Sequence, residues 1–294
     1  MKMSNVIDLK GNFIYAMHGG GAICGKCQTN SLDAIDYWYN RGKRVFEFDL
    51  AVTYDGQYVA VAHYLNQTDL RKLEINDIPP ECTEAWFMNQ TLYSKTTAGL
   101  SPLSLKLIID KLISKPDILV MLDLYGMFTI EESQKLSNKL KMLISDHVGL
   151  YERLLVEVYC DDMVKGIKSQ GNGFNLIYGI DYGTIEYYGI DNKVTPEYLK
   201  KESIDFVSYP FMYTKGHQGE LETFVENGFC IFCRTKSNVR FKQLKGLGVN
   251  VNLIDYYYEG NSFIIHKISE YTGIDTLINF LFRVVRKIKR ELNK

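Results

Sequence analysis

The chain has 294 residues, 46% of them apolar and 23% charged, with a formal net charge of -1. That balance provides a globular core and leaves no long polar, charge-biased stretch of the kind that stays disordered. There is no basic excess to gather nucleic acid or any other polyanion.

Residues 1–11 carry Lys2, Asp8 and Lys10 and lack the apolar run of about 7–15 residues that marks a secretory leader. No segment reaches the ~18 uninterrupted apolar residues of a membrane-spanning helix. A cytoplasmic protein whose six cysteines remain thiols is therefore expected.

Short apolar runs predict strands over residues 13–17, 45–50, 59–62, 118–122, 154–159, 176–180, 206–209, 229–233 and 251–254. Helical spacing falls between them, over 31–40, 104–113, 130–144, 163–169, 196–201, 220–226 and 239–245. In the second of these, Leu105, Ile108, Ile109 and Leu112 form one apolar face at i, i+3, i+4, i+7. Near-continuous apolar strands alternating with amphipathic helices predict a parallel sheet covered on its outer face. With about eight such units and no Pro/Ser-rich linker, the fold expected is a (β/α)8 TIM barrel, the alternative being an open doubly wound sheet. One domain over 1–294 is expected, with the barrel over about 12–260 and a C-terminal helical segment over about 266–294. Residues 65–99 have little periodicity and read as an inserted loop after the third strand, over the catalytic face.

Polar residues recur where the apolar runs end: His18, Glu47 and Asp49, His63, Asp123, Glu157, Arg234 and Asp255. Glu47 and Asp49 are two apart, so strand alternation places both carboxylates on one face and Phe48 on the other. Carboxylate oxygens suit a hard Mg²⁺ or Ca²⁺, and imidazoles titrating near neutrality suit proton transfer. Each feature alone also has a bland reading, a buried ion pair or a histidine satisfied by backbone.

The motifs in order are His18-Gly19-Gly20, Thr29-Asn30-Ser31-Leu32, Glu47-Phe48-Asp49, Thr53-Tyr54-Asp55-Gly56, His63-Tyr64, Leu122-Asp123-Leu124-Tyr125 and Gly248-Val249-Asn250-Val251-Asn252-Leu253-Ile254-Asp255. This order resembles the glycerophosphodiester phosphodiesterase family, of the phospholipase C-like TIM-barrel superfamily, clearly in the first third and faintly beyond. The resemblance implies metal-dependent hydrolysis of a glycerophosphodiester to glycerol 3-phosphate, or a similar phosphate, and an alcohol. It implies His18 and His63 as the acid–base pair, and Glu47, Asp49 and Asp123 as ligands of Mg²⁺ or Ca²⁺. Gly19, Gly20, Asn30, Tyr125, Glu157 and Arg234 are then expected around the substrate, with Asn30 bracing the glycine turn. Three positions depart from the family pattern: Gly19 stands where Arg is usual, Tyr125 where Lys is usual, and Asp123 where Glu is usual. Arg234 and Lys236 follow the 229–233 apolar run, close to where this barrel class places phosphate contacts, and are candidates to restore the lost positive charge. A phospholipase D-like lyase acting on a lipid phosphodiester is the second reading, and a barrel that binds a phosphodiester without turnover the third.

Two other patterns compete for notice. Cys24 and Cys27, with Cys230 and Cys233, have zinc-site spacing, but strand residues three apart point to opposite faces. Residues 274–293 form a basic amphipathic pattern, read either as the last barrel helix or as a segment resting on an anionic membrane surface.

Overall fold

The computed structural model describes residue 9 and residues 13–61, 65–96, 99–169, 171, 173–180, 194–210 and 218–257. His63 and the C-terminal segment 274–293 lie outside the described residues. Among those described, no helix is long and apolar enough to cross a membrane.

Eight parallel strands close on themselves. In chain order the strands are β1 (Ile14–Met17), β2 (Val45–Val52), β3 (Tyr58–Ala60), β4 (Leu119–Asp123), β5 (Leu154–Val158), β6 (Asn175–Gly179), β7 (Phe206–Pro210), β8 (Cys230–Ser237) and β9 (Val251–Tyr256). The spatial order is β1-β9-β8-β7-β6-β5-β4-β2, and parallel pairing of β1 with β2 completes the cylinder. This is the (β/α)8 TIM barrel.

Among the described residues the α-helices are α1 (Leu32–Tyr39), α2 (Gln67–Lys72), α3 (Glu84–Met88), α4 (Leu105–Ser114), α5 (Ile130–Ile144), α6 (Asp161–Lys168), α7 (Pro196–Lys201), α8 (Gln218–Glu226) and α9 (Phe241–Gly246). Several of their starts are fixed by side-chain caps that satisfy otherwise orphaned N–H groups. Ser31 caps α1, Ser104 caps α4, and Thr129 forms a full capping box with Glu132 at α5. Thr195 caps α7, with Pro196 in the first turn, where its missing N–H costs nothing. Once so started, α4 packs Leu105, Ile108, Ile109 and Leu112 into the layer between sheet and helices.

Alternation along the strands makes two cores. Phe46, Phe48, Leu122 and Val156 face outward onto the helices. Val45, Leu119, Met121, Leu155, Ile177 and Phe206 face inward and fill the cylinder. The same inward parity carries Glu47, Asp49, Asp123 and Glu157 above that apolar plug.

The third apolar run departs from expectation. β3 is no barrel strand; it pairs antiparallel with the upper part of β2, Leu50 opposite Ala60 and Val52 opposite Tyr58. The Thr53-Tyr54-Asp55-Gly56 turn makes this hairpin: Thr53 Oγ1 donates to Asp55 Oδ1 at 2.6 Å, and Gly56 takes φ 72°. The following stretch is more than a loop. α2 and α3 pack Leu70 and Phe87 with Val59, Val61, Ile75 and Leu92 into a satellite core. Both helices are a turn or two long, too short for periodicity to reveal.

Candidate active site at the barrel mouth

Beyond the ends of β1, β2, β4, β5 and β8 lies a cavity of about 240 Å³, bordered by His18, Glu47, Asp123, Glu157, Tyr159 and Arg234 among others. This is the C-terminal face, where barrel strands deliver functional side chains.

His18 follows the last residue of β1 and is 3% exposed. Its Nδ1 lies 2.6 Å from Asp255 Oδ1, a contact across 237 positions. Register explains the meeting: Met17 pairs with Ile254, so the next residue on each strand stands side by side. A carboxylate can only accept, so Nδ1 carries the proton and Nε2 is turned toward the cavity. Gln28 Nε2 also donates to Asp255 Oδ1, at 3.0 Å, and fixes that carboxylate in place.

The turn after His18 has no room for side chains. Gly19 takes φ 54°, and a Cβ there would lie 2.5 Å from the Gln28 Cα, a backbone atom that cannot swing aside. The amide of Gly19, expected to face a phosphate, donates instead to Glu47 Oε2 at 2.6 Å. Asn30 binds both partners of the neighbouring strand end. Its N–H donates to Gly19 O at 2.9 Å and its Nδ2 to Asp49 Oδ2 at 2.9 Å, while Asp49 N donates back to Asn30 Oδ1. Asn30 thus ties the glycine turn to β2. Gly20, buried and against Ala34 and Phe48, serves the same turn.

Three carboxylates stand at one level of the sheet. Asp49 pairs in register with Asp123, and Asp123 with Glu157. Asp123 Oδ1 accepts from the Tyr125 amide and from the Tyr159 hydroxyl, each at 2.9 Å. The Tyr125 ring borders the cavity and meets Tyr159 edge-on, with centroids 5.5 Å apart. Gly179 makes space for this wall, since a Cβ there would fall 2.4 Å from the Tyr159 ring and 2.7 Å from Glu157 Oε1.

Burial first, then the charges of Asp49 and Asp123, hold Glu47 well above the usual carboxylate range. Burial and then Asp123 do the same to Glu157. Burial also raises Tyr159, helped by Asp123 and Glu157. Glu47 Oε1 is buried and has no hydrogen-bond partner among the described residues. Ligand atoms of His18, Glu47 and Asp49 lie within 4.8 Å of one another. Clustered hard oxygen donors with an orphaned buried carboxylate oxygen fit a divalent cation.

Opposite the acidic wall, Arg234 brings a guanidinium Nη1 to 3.3 Å from His18 Nε2. Burial works against its charge, but Tyr159, Asp123, Asp49 and Glu47 outweigh that and raise its pKa further. Asp255 as the partner of His18, with Gln28, Tyr159 and Gly179 as supports, went unassigned by sequence reasoning. In the sequence Asp255 stands out as a polar residue ending a strand and closing the last motif, with no role attached.

The cysteines form no shared zinc site. Cys230 faces the barrel interior, Cys233 faces the helices, and Cys24 is exposed in a turn.

Neither a protein-family model nor a curated protein sequence matches the chain. Solved structures do. A candidate glycerophosphodiester phosphodiesterase from Galdieria sulphuraria superposes with a TM-score of 0.65 at 18% identity, covering 86% of this chain and 96% of its own. A glycerophosphodiester phosphodiesterase from Parabacteroides distasonis gives 0.63 at 16% identity, with 84% and 94% covered. An Oleispira antarctica phosphodiesterase, solved with the product sn-glycerol-3-phosphate, gives 0.62 at 14% identity, with 83% and 93% covered. The chain therefore has the barrel fold seen in glycerophosphodiester phosphodiesterase structures, over nearly the whole length of each.

Proposed function

We propose that this protein is a divalent-metal-dependent phosphodiesterase acting on a glycerophosphodiester-type substrate, releasing an alcohol and glycerol 3-phosphate or a comparable phosphate. The observation that carries the reading is the His18–Asp255 pair beside the Glu47–Asp49 carboxylates at the barrel mouth. The barrel likeness to structures of that name supports it, as does the Oleispira protein's capture of sn-glycerol-3-phosphate.

Glu47, Asp49 and Asp123 would hold the cation. His18 is the poorer ligand, because the Arg234 guanidinium faces its Nε2. A bound Mg²⁺ or Ca²⁺ would offset the negative charge of the diester and of the clustered carboxylates. Asp255 orients the His18 ring so that Nε2 can take a proton from a hydroxyl next to the phosphate, or return one to the departing alkoxide. Asp255 also stabilises the imidazolium formed when Nε2 takes that proton. The second imidazole expected from the motif order is His63, which lies outside the described residues. Glu157, Tyr159 and Tyr125 form the wall nearest the alcohol portion, where hydroxyl groups would find acceptors.

The test is release of the alcohol from glycerophosphocholine with Mg²⁺, Ca²⁺ or chelator, beside a lysolipid and a bare model diester. Cation-dependent cleavage of glycerophosphocholine is expected. Cleavage of the lysolipid alone would favour the lyase reading, and binding without product under every cation would leave a phosphodiester-binding barrel.

A further inference from the structure

We propose that Arg234 is the residue that anchors the phosphate, seating it from the cavity side against both the guanidinium and the adjoining His18 imidazole, on the β8–β1 side of the mouth. The inference rests on the phosphodiester reading and specifies how such a ligand enters this particular site.

An anionic diester approaching Glu47, Asp49, Asp123 and Glu157 meets repulsion unless fixed positive charge opposes it. Among the described residues lining the cavity, the cation is Arg234. It forms no ion pair among the described residues. Its recorded hydrogen bond runs at a long 3.3 Å to the His18 ring. A guanidinium has five N–H donors in a planar fork that matches two phosphate oxygens. Most of those donors therefore have no partner among the described residues. Arg234 lines the cavity and keeps solvent contact there, while its strand neighbours Cys233 and Thr235 are buried on the helix side.

The two nearest alternatives are closed. Position 19 cannot project any side chain toward the cavity, because the Gln28 backbone occupies the path of a Cβ. Position 125 carries an aromatic ring packed edge-on against Tyr159 and Phe128. The glycine turn gives no spare amide at Gly19 or Gly21 either: Gly19 N–H is on Glu47, and Gly21 N–H is on His18 O. The anchor thus falls to β8, which directs the phosphate toward His18 Nε2 and leaves the alcohol facing the β4–β5 wall.

Calorimetric titration of the full chain with sn-glycerol 3-phosphate, and separately with inorganic phosphate, tests this in wild type, Arg234→Gln and Arg234→Lys. Thermal melts check the folding of each variant. Arg234→Gln should weaken binding of both probes roughly 10- to 100-fold, with Arg234→Lys between it and wild type. In turnover the loss should appear chiefly as a raised KM. Should Arg234→Gln fail to fold, the Arg234→Lys titration alone decides, since loss of the fork with the charge kept still predicts weaker binding. Unchanged affinity in the folded variants, or a wild type that binds neither probe, overturns the proposal. Arg234-dependent binding by a protein that cleaves no diester would uphold the anchor and overturn the phosphodiesterase reading.

Discussion

Inside the barrel, β2, β4 and β5 change character within two residues. Low in them stand Val45, Met121 and Leu155; two residues further on stand Glu47, Asp123 and Glu157. Both levels are buried, yet one holds the fold and the other strains against it. The apolar level gains from removal of surface from water. The acidic level loses solvation, and its carboxylates repel one another. The difference sets a stabilising level and the candidate site apart along the strand axis, and the proposed function predicts that each can be altered with little effect on the other.

Four measurements would break or sharpen that contrast. The largest effect is expected from His18→Ala, which should cut hydrolysis about 10²–10⁴-fold; turnover near wild type would detach the upper level from catalysis. Leu155→Ala, in the lower level, should cost about 2–5 kcal/mol in urea unfolding, while the folded fraction keeps its kcat. A matching fall in kcat would show that the two levels are coupled. Gly19→Ala should cost about 1–3 kcal/mol, because the new Cβ must displace backbone at a left-handed φ. An unchanged unfolding midpoint would mean that the turn relaxes freely.

The smallest effect concerns pH. In the metal-free protein Glu47 and Glu157 keep protons that the unfolded chain releases above the ordinary glutamate value of about 4.3. The folded state then binds more protons than the unfolded one, so stability should fall as pH rises above that value. Comparing urea midpoints at about pH 5 and about pH 7.5 would show this slope. Glu157→Gln should flatten it, and added Mg²⁺ or Ca²⁺ should flatten it further by stabilising the ionised carboxylates. A slope of opposite sign would place compensating positive charge at the upper level.

What could be read in the sequence follows the range of the interactions involved. The eight barrel strands and helices such as α5, expected over 130–144 and found at Ile130–Ile144, rest on local periodicity. Glu47 and Asp49 share a face because alternation requires it. The His18–Asp255 contact depends on β1–β9 register, which no local pattern encodes. β3 was misplaced because a short apolar run has the same period in parallel and antiparallel pairing. The Asp55-Gly56 turn between it and β2 was the signal for a hairpin. The standing of Arg234 as the cavity's cation needed the contact with His18.

Strand β2 belongs to two structures at once. Its lower half, through Asp49, is paired into the cylinder, and its upper half carries the hairpin on which the satellite core is built. Val61 N donates to Asp49 O at 3.0 Å, so the accessory lobe grips the backbone of a candidate ligand directly. The lobe is thus tied to the candidate site through the main chain. Grafting a foreign segment in place of 65–99 would retune Asp49 unless the Thr53–Val61 hinge were retained with it.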